Sequence, residues 1–120
     1  MSAVYVPPVT HRKRIPQKAI QDVVRQIAEK FHPQKIILFG SYARGEFRPE
    51  SDVDLLVVME TTLKETRQAL EIEQNLEMDL FGLDLLVKTP KTLQERIEQG
   101  DWFLREILRD GRVLYESPHG

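Results

Sequence analysis

The sequence contains no cysteine among its 120 residues, which excludes disulfide bonds, thiolate zinc sites and cysteine nucleophiles. Long apolar stretches are missing too. The longest uninterrupted apolar run is Leu55–Met59, far short of the ~20 residues that span a bilayer. The first residues also lack the apolar core of a secretory signal. These absences predict a cytoplasmic protein with no membrane-spanning segment.

Neither sign of charge dominates. Lys and Arg total 17, Asp and Glu total 19, and the formal net charge is −2. A protein whose main partner is a nucleic acid usually carries a strongly basic domain, so the charge balance does not indicate nucleic-acid binding. The apolar fraction of 41% and the charged fraction of 30% are ordinary for a soluble globular protein. The length fits one domain.

Three segments are expected along the chain. Residues 1–15 are predicted to form an extended N-terminal arm, residues 16–116 the folded domain, and residues 117–120 a C-terminal tail. The arm contains the basic run His11–Arg14. That run fits either a disordered arm or a contact with an acidic partner or RNA.

Apolar runs and turn signals predict an α/β fold around a small central sheet, in the order α-β-α-β-α-β-α-α-β. An amphipathic helix is expected from Pro16 to Phe31. Because the second strand is apolar on both faces, it should lie inside the sheet. The predicted strands cover residues 35–39, 52–59, 79–87 and 112–115.

Short motifs predict how the other helices begin and end. Ser41–Arg44 can form a single helical turn closed by Gly45. Thr62–Glu65 fits a capping box, Thr89–Pro90 opens the next helix, and Asp101 can cap the last one. An exposed aromatic residue in the last helix would anchor a partner. The residues of that helix predicted to face inward are Trp102, Phe103, Ile107 and Leu108.

Two polar motifs lie at the ends of predicted strands. Gly40–Ser41 follows the apolar run Ile36–Phe39, and Asp52 and Asp54 open the next strand. Residues two apart on a strand share a face, with Cα atoms ~6.6 Å apart, so the two carboxylates should converge. Asp84 lies in the third strand. Carboxylates in a sheet are costly to bury unless they are neutralised.

Bound divalent cations would neutralise these acids. Magnesium is typically held by one or two carboxylates together with substrate phosphates, and two-metal sites place their ions ~3.5–4 Å apart. Asp52 and Asp54 are the candidate ligands. Asp84 can supply a flanking ligand or a proton acceptor if its strand neighbours theirs. The pattern therefore indicates a metal-dependent phosphoryl or nucleotidyl transfer site.

The turn after the first strand suits a triphosphate. Gly40 lets the backbone approach a phosphate closely, and the Ser41 hydroxyl can donate a hydrogen bond. Arg44 and Arg48 can clamp phosphates or be solvated loop residues. Tyr42 can stack on a base or line the turn.

Each motif alone has a simpler explanation. Gly40–Ser41 alone fits a plain strand-ending turn, and Asp52 with Asp54 fits a loop or helix-capping cluster. Together with Asp84 they indicate a metal–nucleotide site. An acid pair after an apolar strand also opens the haloacid-dehalogenase phosphatases, but Leu56 stands where those proteins need a threonine.

The residues resemble the motifs of the nucleotidyltransferase superfamily of DNA polymerase beta type. The resemblance consists of Gly40–Ser41, Asp52 and Asp54 after ten intervening residues, and Asp84 in a later strand. The short chain is similar to the minimal nucleotidyltransferases of that superfamily over roughly residues 16–116. Three flanking stretches strengthen the resemblance: Phe39–Gly45, Ser51–Leu56 and Leu108–Tyr115.

The resemblance implies the polymerase beta-like nucleotidyltransferase fold, a mixed sheet flanked by helices. It implies two Mg²⁺ ions and transfer of a nucleoside monophosphate from ATP or another nucleoside triphosphate. By position, Asp52 and Asp54 would hold the metals. Asp84 would complete the site and help deprotonate the attacking hydroxyl. Gly40 and Ser41 would bind the triphosphate.

Members of this size are often antitoxins paired with a HEPN-domain toxin, so the resemblance also implies a hetero-oligomer. They are thought to neutralise the partner by adenylylating a tyrosine, by binding it, or by both. The expected function is transfer of AMP to a hydroxyl of a protein partner. The alternative is a non-catalytic binding module that inhibits its partner by forming a complex.

Overall fold

The computed structural model describes residues 4–9, 12–78 and 81–118. The elements follow the predicted order. The helices are α1 (Gln17–Phe31), α2 (Ser41–Arg44), α3 (Glu65–Gln74), α4 (Pro90–Glu98) and α5 (Trp102–Asp110). The strands are β1 (Lys35–Phe39), β2 (Val53–Val58), β3 (Leu83–Lys88) and β4 (Arg112–Glu116).

The strands form one mixed sheet in the order β3-β2-β1-β4. Strands β2 and β3 are parallel, whereas β1 is antiparallel to both β2 and β4. The predicted interior position of β2 is confirmed. The third strand begins at Leu83 rather than at 79, so β3 is shorter than predicted, and residues 79 and 80 lie outside the described ranges.

Two predicted helix starts are confirmed, at Pro90 and after Asp101, and each has a side-chain cap. The Thr89 side chain accepts a hydrogen bond from the Thr92 N–H at 3.1 Å. The Asp101 carboxylate accepts one from the Leu104 N–H at 2.9 Å. Each cap satisfies an amide that the first turn of a helix leaves without an intrahelical partner. Asp101 thereby fixes where α5 begins.

The predicted capping box at Thr62–Glu65 is wrong, because α3 begins at Glu65 and the preceding Lys64 makes no side-chain cap. The carboxylate that the box requires is already engaged elsewhere. Glu65 accepts a hydrogen bond from the Thr89 N–H at 2.9 Å and pairs with Lys88 at 3.3 Å. A contact distant in sequence therefore displaced a local one.

Apolar packing divides between the two faces of the sheet. The face that carries α1 and α3 holds the larger cluster, which includes Ile27 of α1 and Ile72 of α3, both fully buried. Val6 and Ile15, which precede α1, belong to the same cluster. The N-terminal segment therefore packs against the domain.

Of the two interpretations of the basic run His11–Arg14, a disordered arm is wrong for residues 12–14. The Arg12 Nε donates to the Pro49 carbonyl at 3.1 Å. The Arg14 guanidinium lies 4.6 Å from the centre of the Phe47 ring, an arrangement that favours a cation–π interaction. His11 lies outside the described residues. The proposed boundaries at 16 and 116 remain predictions.

The opposite face carries α4 and α5 over a smaller cluster. Leu104 and Ile107 of α5 are buried there against Ile37, Leu56 and Val58. The prediction that Ile107 faces inward is confirmed. The same prediction is wrong for Trp102, Phe103 and Leu108, which are 74%, 49% and 43% exposed. A short helix presents one stripe at i, i+3 spacing to a sheet, and Leu104 with Ile107 occupy it. No helix in the described ranges is long and apolar enough to cross a membrane.

Candidate active site

Asp54 and Asp84 are direct neighbours across two parallel strands. The register pairs Val53 with Leu83 and Asp54 with Asp84. Side chains of partner residues project from the same face of a sheet, so both carboxylates lie on the face of α4 and α5. The condition set for Asp84, that its strand adjoin that of Asp54, is met.

Asp52 directly precedes β2. Asp52 and Asp84 are exposed, and Asp54 is partly buried. The cost of burying an uncompensated carboxylate, noted from the sequence, therefore does not apply to Asp52 and Asp84. The reason is position: Asp52 lies outside its strand, and Asp84 lies near the start of β3, an edge strand. The cost of an uncompensated negative charge falls mainly on Asp54.

The electrostatics of Asp54 link the three acids. Partial burial raises the pKa of Asp54 to about 6, and the negative charges of Asp84 and Asp52 act in the same direction. The positive charge of Arg44 opposes the shift. Burial disfavours a carboxylate, and so do nearby charges of the same sign. A cation placed among these groups would stabilise the ionised form of Asp54.

The turn after β1 lies against Asp54. Gly40 has φ 73° and ψ −153°, a backbone region that is essentially restricted to glycine. A Cβ at this position would overlap the Asp54 Oδ2 atom and lie 3.1 Å from its Cγ. Two independent constraints therefore require glycine at the point where the turn meets the carboxylate.

The single helical turn predicted over 41–44 is confirmed as α2. The Ala43 and Arg44 amides donate to the Gly40 carbonyl at 3.1 and 3.2 Å. Gly45 closes the turn in the left-handed conformation. The start of α2 therefore follows directly after β1 and lies beside Asp54.

A cavity of about 310 Å³ lies between this turn and α5. Four of the residues that line the cavity are predicted site residues. Asp52 and Ser41, which were also predicted, do not line it. The cavity therefore gathers most, but not all, of the predicted site. The predicted residues that line it are Gly40, Arg44, Asp54 and Asp84.

Arg44 and Arg48, which were equivalent candidates from the sequence, differ in position. Arg44 lines the cavity with a half-exposed side chain, and its Nε lies 3.8 Å from Glu46 Oε1. Arg48 does not line the cavity, and its backbone N–H donates to Ser51 Oγ at 2.8 Å. Only Arg44 is placed to meet an anion there.

Tyr42 does not face a ligand. Its side chain is buried, its hydroxyl accepts a hydrogen bond from the Ile15 N–H at 2.8 Å, and its ring stacks on Phe47 at 4.6 Å between centroids. Base stacking by Tyr42 was one of two predictions, and it is wrong. The other, that Tyr42 lines the turn, is confirmed.

Gly82 is a site residue that the sequence reasoning missed. A Cβ there would overlap Asp52 Oδ1 and approach its Cγ to 2.6 Å, and the Gly82 carbonyl accepts from the Val53 N–H at 2.9 Å. Gly82 therefore leaves room for the Asp52 carboxylate. A glycine inside an apolar strand pattern often marks close approach by another group, and that signal was present.

The α5 side of the cavity was also missed. Phe103, Glu106 and Asp110 line it, and their spacing of three and four residues places them along one side of a helix. Phe103 packs edge-on to Phe39 with ring centroids 5.8 Å apart. Asp110 pairs with Arg109 at 2.9 Å. The helix contributes an aromatic side chain and two acids to the site.

The residues present fit a divalent cation whose coordination shell is completed by the substrate. Within residues 4–9, 12–78 and 81–118, no three acidic or histidine side chains are gathered closely enough to hold an ion by themselves. Magnesium needs only one or two carboxylates when phosphates and water complete its shell. The neighbouring Asp54 and Asp84, with Asp52 nearby, meet that requirement.

Residues 20–115 match the sequence profile of the nucleotidyltransferase domain family. The chain belongs to this family, and it is an enzyme of the nucleotidyltransferase class.

Curated relatives agree with that assignment. A Methanocaldococcus jannaschii protein, named as a proposed protein adenylyltransferase, is 34% identical over 82% of this chain and 97% of its own length. The protein adenylyltransferase MntA of Thermococcus cleftensis is 40% identical over 54% of this chain and 66% of its own length.

Solved structures agree on the fold. A proposed nucleotidyltransferase from Sulfolobus solfataricus has a TM-score of 0.59 at 18% identity, covering 86% of this chain and 82% of its own. A toxin–antitoxin structure determined with AMP-PNP has a TM-score of 0.54 at 22% identity, covering 82% of this chain and 73% of its own. The predicted polymerase beta-like fold is confirmed.

Proposed function

We propose that the protein is a magnesium-dependent nucleotidyltransferase that moves AMP from ATP onto a hydroxyl of a protein partner. The observation that carries the proposal is the approach of the Gly40 turn to the neighbouring carboxylates of Asp54 and Asp84. The names of the two curated relatives, both protein adenylyltransferases, support a protein as the acceptor.

Asp52, Asp54 and Asp84 would hold the two Mg²⁺ ions. When bound, magnesium neutralises the triphosphate and stabilises the charge that develops on the reacting phosphoryl group. Asp54 contributes the ligand that most needs a cation, because its partial burial and its two acidic neighbours disfavour its charge. Gly82 keeps Asp52 in place by leaving space beside it.

Gly40, Ser41 and Arg44 would bind the triphosphate. The glycine brings the backbone close to the acids without a side chain in the way. The Ser41 hydroxyl, at the start of α2, can donate to a phosphate oxygen. Arg44 lines the cavity and supplies a planar set of donors that suits phosphate oxygens.

In the transfer step, the acceptor oxygen forms a bond to the α-phosphorus of ATP. The bond from that phosphorus to the bridging oxygen breaks, and pyrophosphate leaves. Asp84 takes the proton of the attacking hydroxyl. Its position supports this role, because Asp84 is exposed on the edge strand and lines the cavity through which an acceptor would enter. The products are the adenylylated acceptor and pyrophosphate.

The partner that the family resemblance suggests is a HEPN-type toxin, which the protein would neutralise as an antitoxin. A small catalytic domain has little surface with which to select an acceptor, so a second chain would complete the site. The competing proposal is a binding module that inhibits the same partner without transferring a nucleotide.

One experiment separates these two proposals. The protein is incubated with Mg²⁺, ATP labelled in its α-phosphate, and the HEPN-domain protein proposed as its partner. We expect the partner to gain the label and the mass of one adenylyl group with the parent protein, and neither with Asp52→Asn or Asp54→Asn. Glu73→Gln, which alters an exposed carboxylate of α3, is the matched control and should retain transfer.

Neutralisation of the partner is measured with the same variants. If Asp52→Asn and Asp54→Asn neutralise it as well as the parent does, and no label is incorporated by any protein, the binding module is correct and the catalytic proposal is not.

A further inference from the structure

One end of α5 combines exposed aromatic surface with the mouth of the cavity. Trp102 is 74% exposed and Phe103 is 49% exposed, although both are large apolar side chains. Phe103 lines the cavity that contains Asp54 and Asp84. Trp102 is its neighbour at the start of the helix. Exposed aromatic side chains grouped at a site opening are typical anchors for a protein partner.

A charge lies beside these aromatics. Glu106 is partly buried and lines the same cavity. Among the described residues it forms no salt bridge, since the nearby Arg109 pairs with Asp110 at 2.9 Å. Arg105 is also occupied, because it donates to the Ile97 carbonyl at 2.7 and 3.1 Å. Both cations of α5 thus have other partners, although Arg109 also attracts Glu106 at longer range. Glu106 lines the cavity without a salt bridge of its own in the described part of the chain.

We propose that Trp102, Phe103 and Glu106 form the docking surface for the acceptor, which is a polypeptide segment with an apolar residue and a basic residue beside its hydroxyl. This inference rests on the proposed transfer reaction. An acceptor oxygen that enters the cavity to reach Asp84 would pass near Phe103, because Phe103 and Asp84 line the same cavity. The apolar residue packs on the two aromatics, and the basic residue pairs with Glu106.

The charge of the cavity favours this occupant over an acidic one. Of the four acids that line the cavity, Asp54 and Asp84 would be neutralised by magnesium, and Asp110 pairs with Arg109. Glu106 is therefore the acid that is left to meet an acceptor segment. An acidic acceptor segment would be repelled at close range, whereas a basic one would be attracted. Glu106 thus gives α5 a role in selecting the acceptor rather than in the chemistry.

The only tryptophan of the sequence makes docking observable. Trp102 is that tryptophan, so the intrinsic tryptophan fluorescence reports on this surface alone. We would titrate the full chain with short peptides that have a central tyrosine or serine, flanked either by arginine and leucine or by glutamate. Magnesium and a nonhydrolysable ATP analogue are present, and transfer is measured in parallel with ATP.

The basic peptide should shift the Trp102 emission to shorter wavelength and accept AMP, and the acidic peptide should do neither. Glu106→Lys should reverse this preference, so that the acidic peptide becomes the better substrate. Trp102→Ser should raise the KM for the basic peptide by about tenfold or more, the loss expected for an interface anchor. Tyr5→Ser removes an aromatic residue that is 71% exposed and is the matched control, with KM unchanged.

Several outcomes would overturn the inference. If the peptides are adenylylated without a flank preference and without a change in Trp102 emission, the docking surface is wrong and the proposed function stands. If the nucleotide analogue alone shifts the emission, the aromatics belong to the nucleotide site. A shift that depends on protein concentration identifies a second copy as the occupant. If the parent binds no nucleotide analogue, the proposed function falls and this inference falls with it.

Discussion

Gly40 and Asp54 lie so close together that a Cβ at position 40 would overlap the Asp54 Oδ2 atom. The contact joins the end of β1 to the first part of β2, because the register places Phe39 opposite Asp54. The turn proposed to bind phosphate and the strand proposed to bind metal thus belong to one antiparallel strand pair. A substitution at either residue should therefore displace the other.

Gly40→Ala tests this contact. We expect it to abolish nucleotide transfer and to destabilise the fold by about 1–3 kcal/mol, the cost of forcing a side chain into this backbone region. Gly45→Ala is the control, because Gly45 has the same φ of 73° but a Cβ added there would meet no other group within 4 Å. It should cost about 1–2 kcal/mol and retain transfer. Urea unfolding and an AMP-transfer assay measure both effects.

Gly82→Ala should reduce transfer without the loss of stability expected for Gly40→Ala. The new Cβ meets the end of the Asp52 side chain, which is exposed and free to turn away. We therefore expect the unfolding midpoint to change little while transfer falls as in Asp52→Asn. Retention of full transfer would show that Asp52 need not occupy its present position. Magnesium titration of transfer by both variants provides the comparison.

The raised pKa of Asp54 predicts a pH-dependent stability in the absence of magnesium. Its ordinary pKa of 3.8 applies to the unfolded chain, and its pKa in the folded protein is about 6. Between these values the folded state holds a proton that the unfolded state has released, so stability decreases as pH rises from about 4 to about 6. Because Asp54 is only partly buried, solvent screening limits the effect to about 1 kcal/mol.

Asp54→Asn isolates this contribution. The variant should lack the decrease over that pH range, so at pH 7 it should be more stable than the parent, even though it is inactive. Denaturant unfolding of both proteins without metal, at pH 4 and at pH 7, measures the difference. An equal pH dependence of the two proteins would contradict the assigned pKa.

Arg44→Ala should weaken nucleotide binding by about tenfold, the loss of one charge-assisted contact. Arg48→Ala is the matched control, since Arg48 lies outside the cavity, and its affinity should equal that of the parent. Calorimetric titration with a nonhydrolysable ATP analogue and magnesium gives both values. Equal losses of affinity in the two variants would show that both arginines act only through general electrostatic attraction.

Local patterns predicted the elements well where local forces decide them. The strand expected at 35–39 has those bounds, and the caps of Thr89 and Asp101 are present. The order of the strands in the sheet, by contrast, is not decided by local forces. That Asp84 would adjoin Asp54 depended on β3 pairing with β2, and no short pattern in the sequence determines such a pairing.

The failures also have physical causes. The sequence offered several apolar residues in α5, and only packing on the sheet selected Leu104 and Ile107 over Trp102 and Phe103. The importance of Gly82 depends on a side chain from another strand coming close. Glu65 left its expected cap for a backbone N–H that is distant in sequence. In each case a tertiary contact outweighed a local preference.

The unequal apolar clusters on the two faces of the sheet bear on how proteins of this design diversify. Most of the buried side chains lie on the face of the sheet that carries α1 and α3, opposite the face that carries α5. The outer surface of α5 can therefore exchange residues at little risk of unfolding. Substitutions on that surface are therefore expected to change the choice of acceptor while leaving the larger core intact.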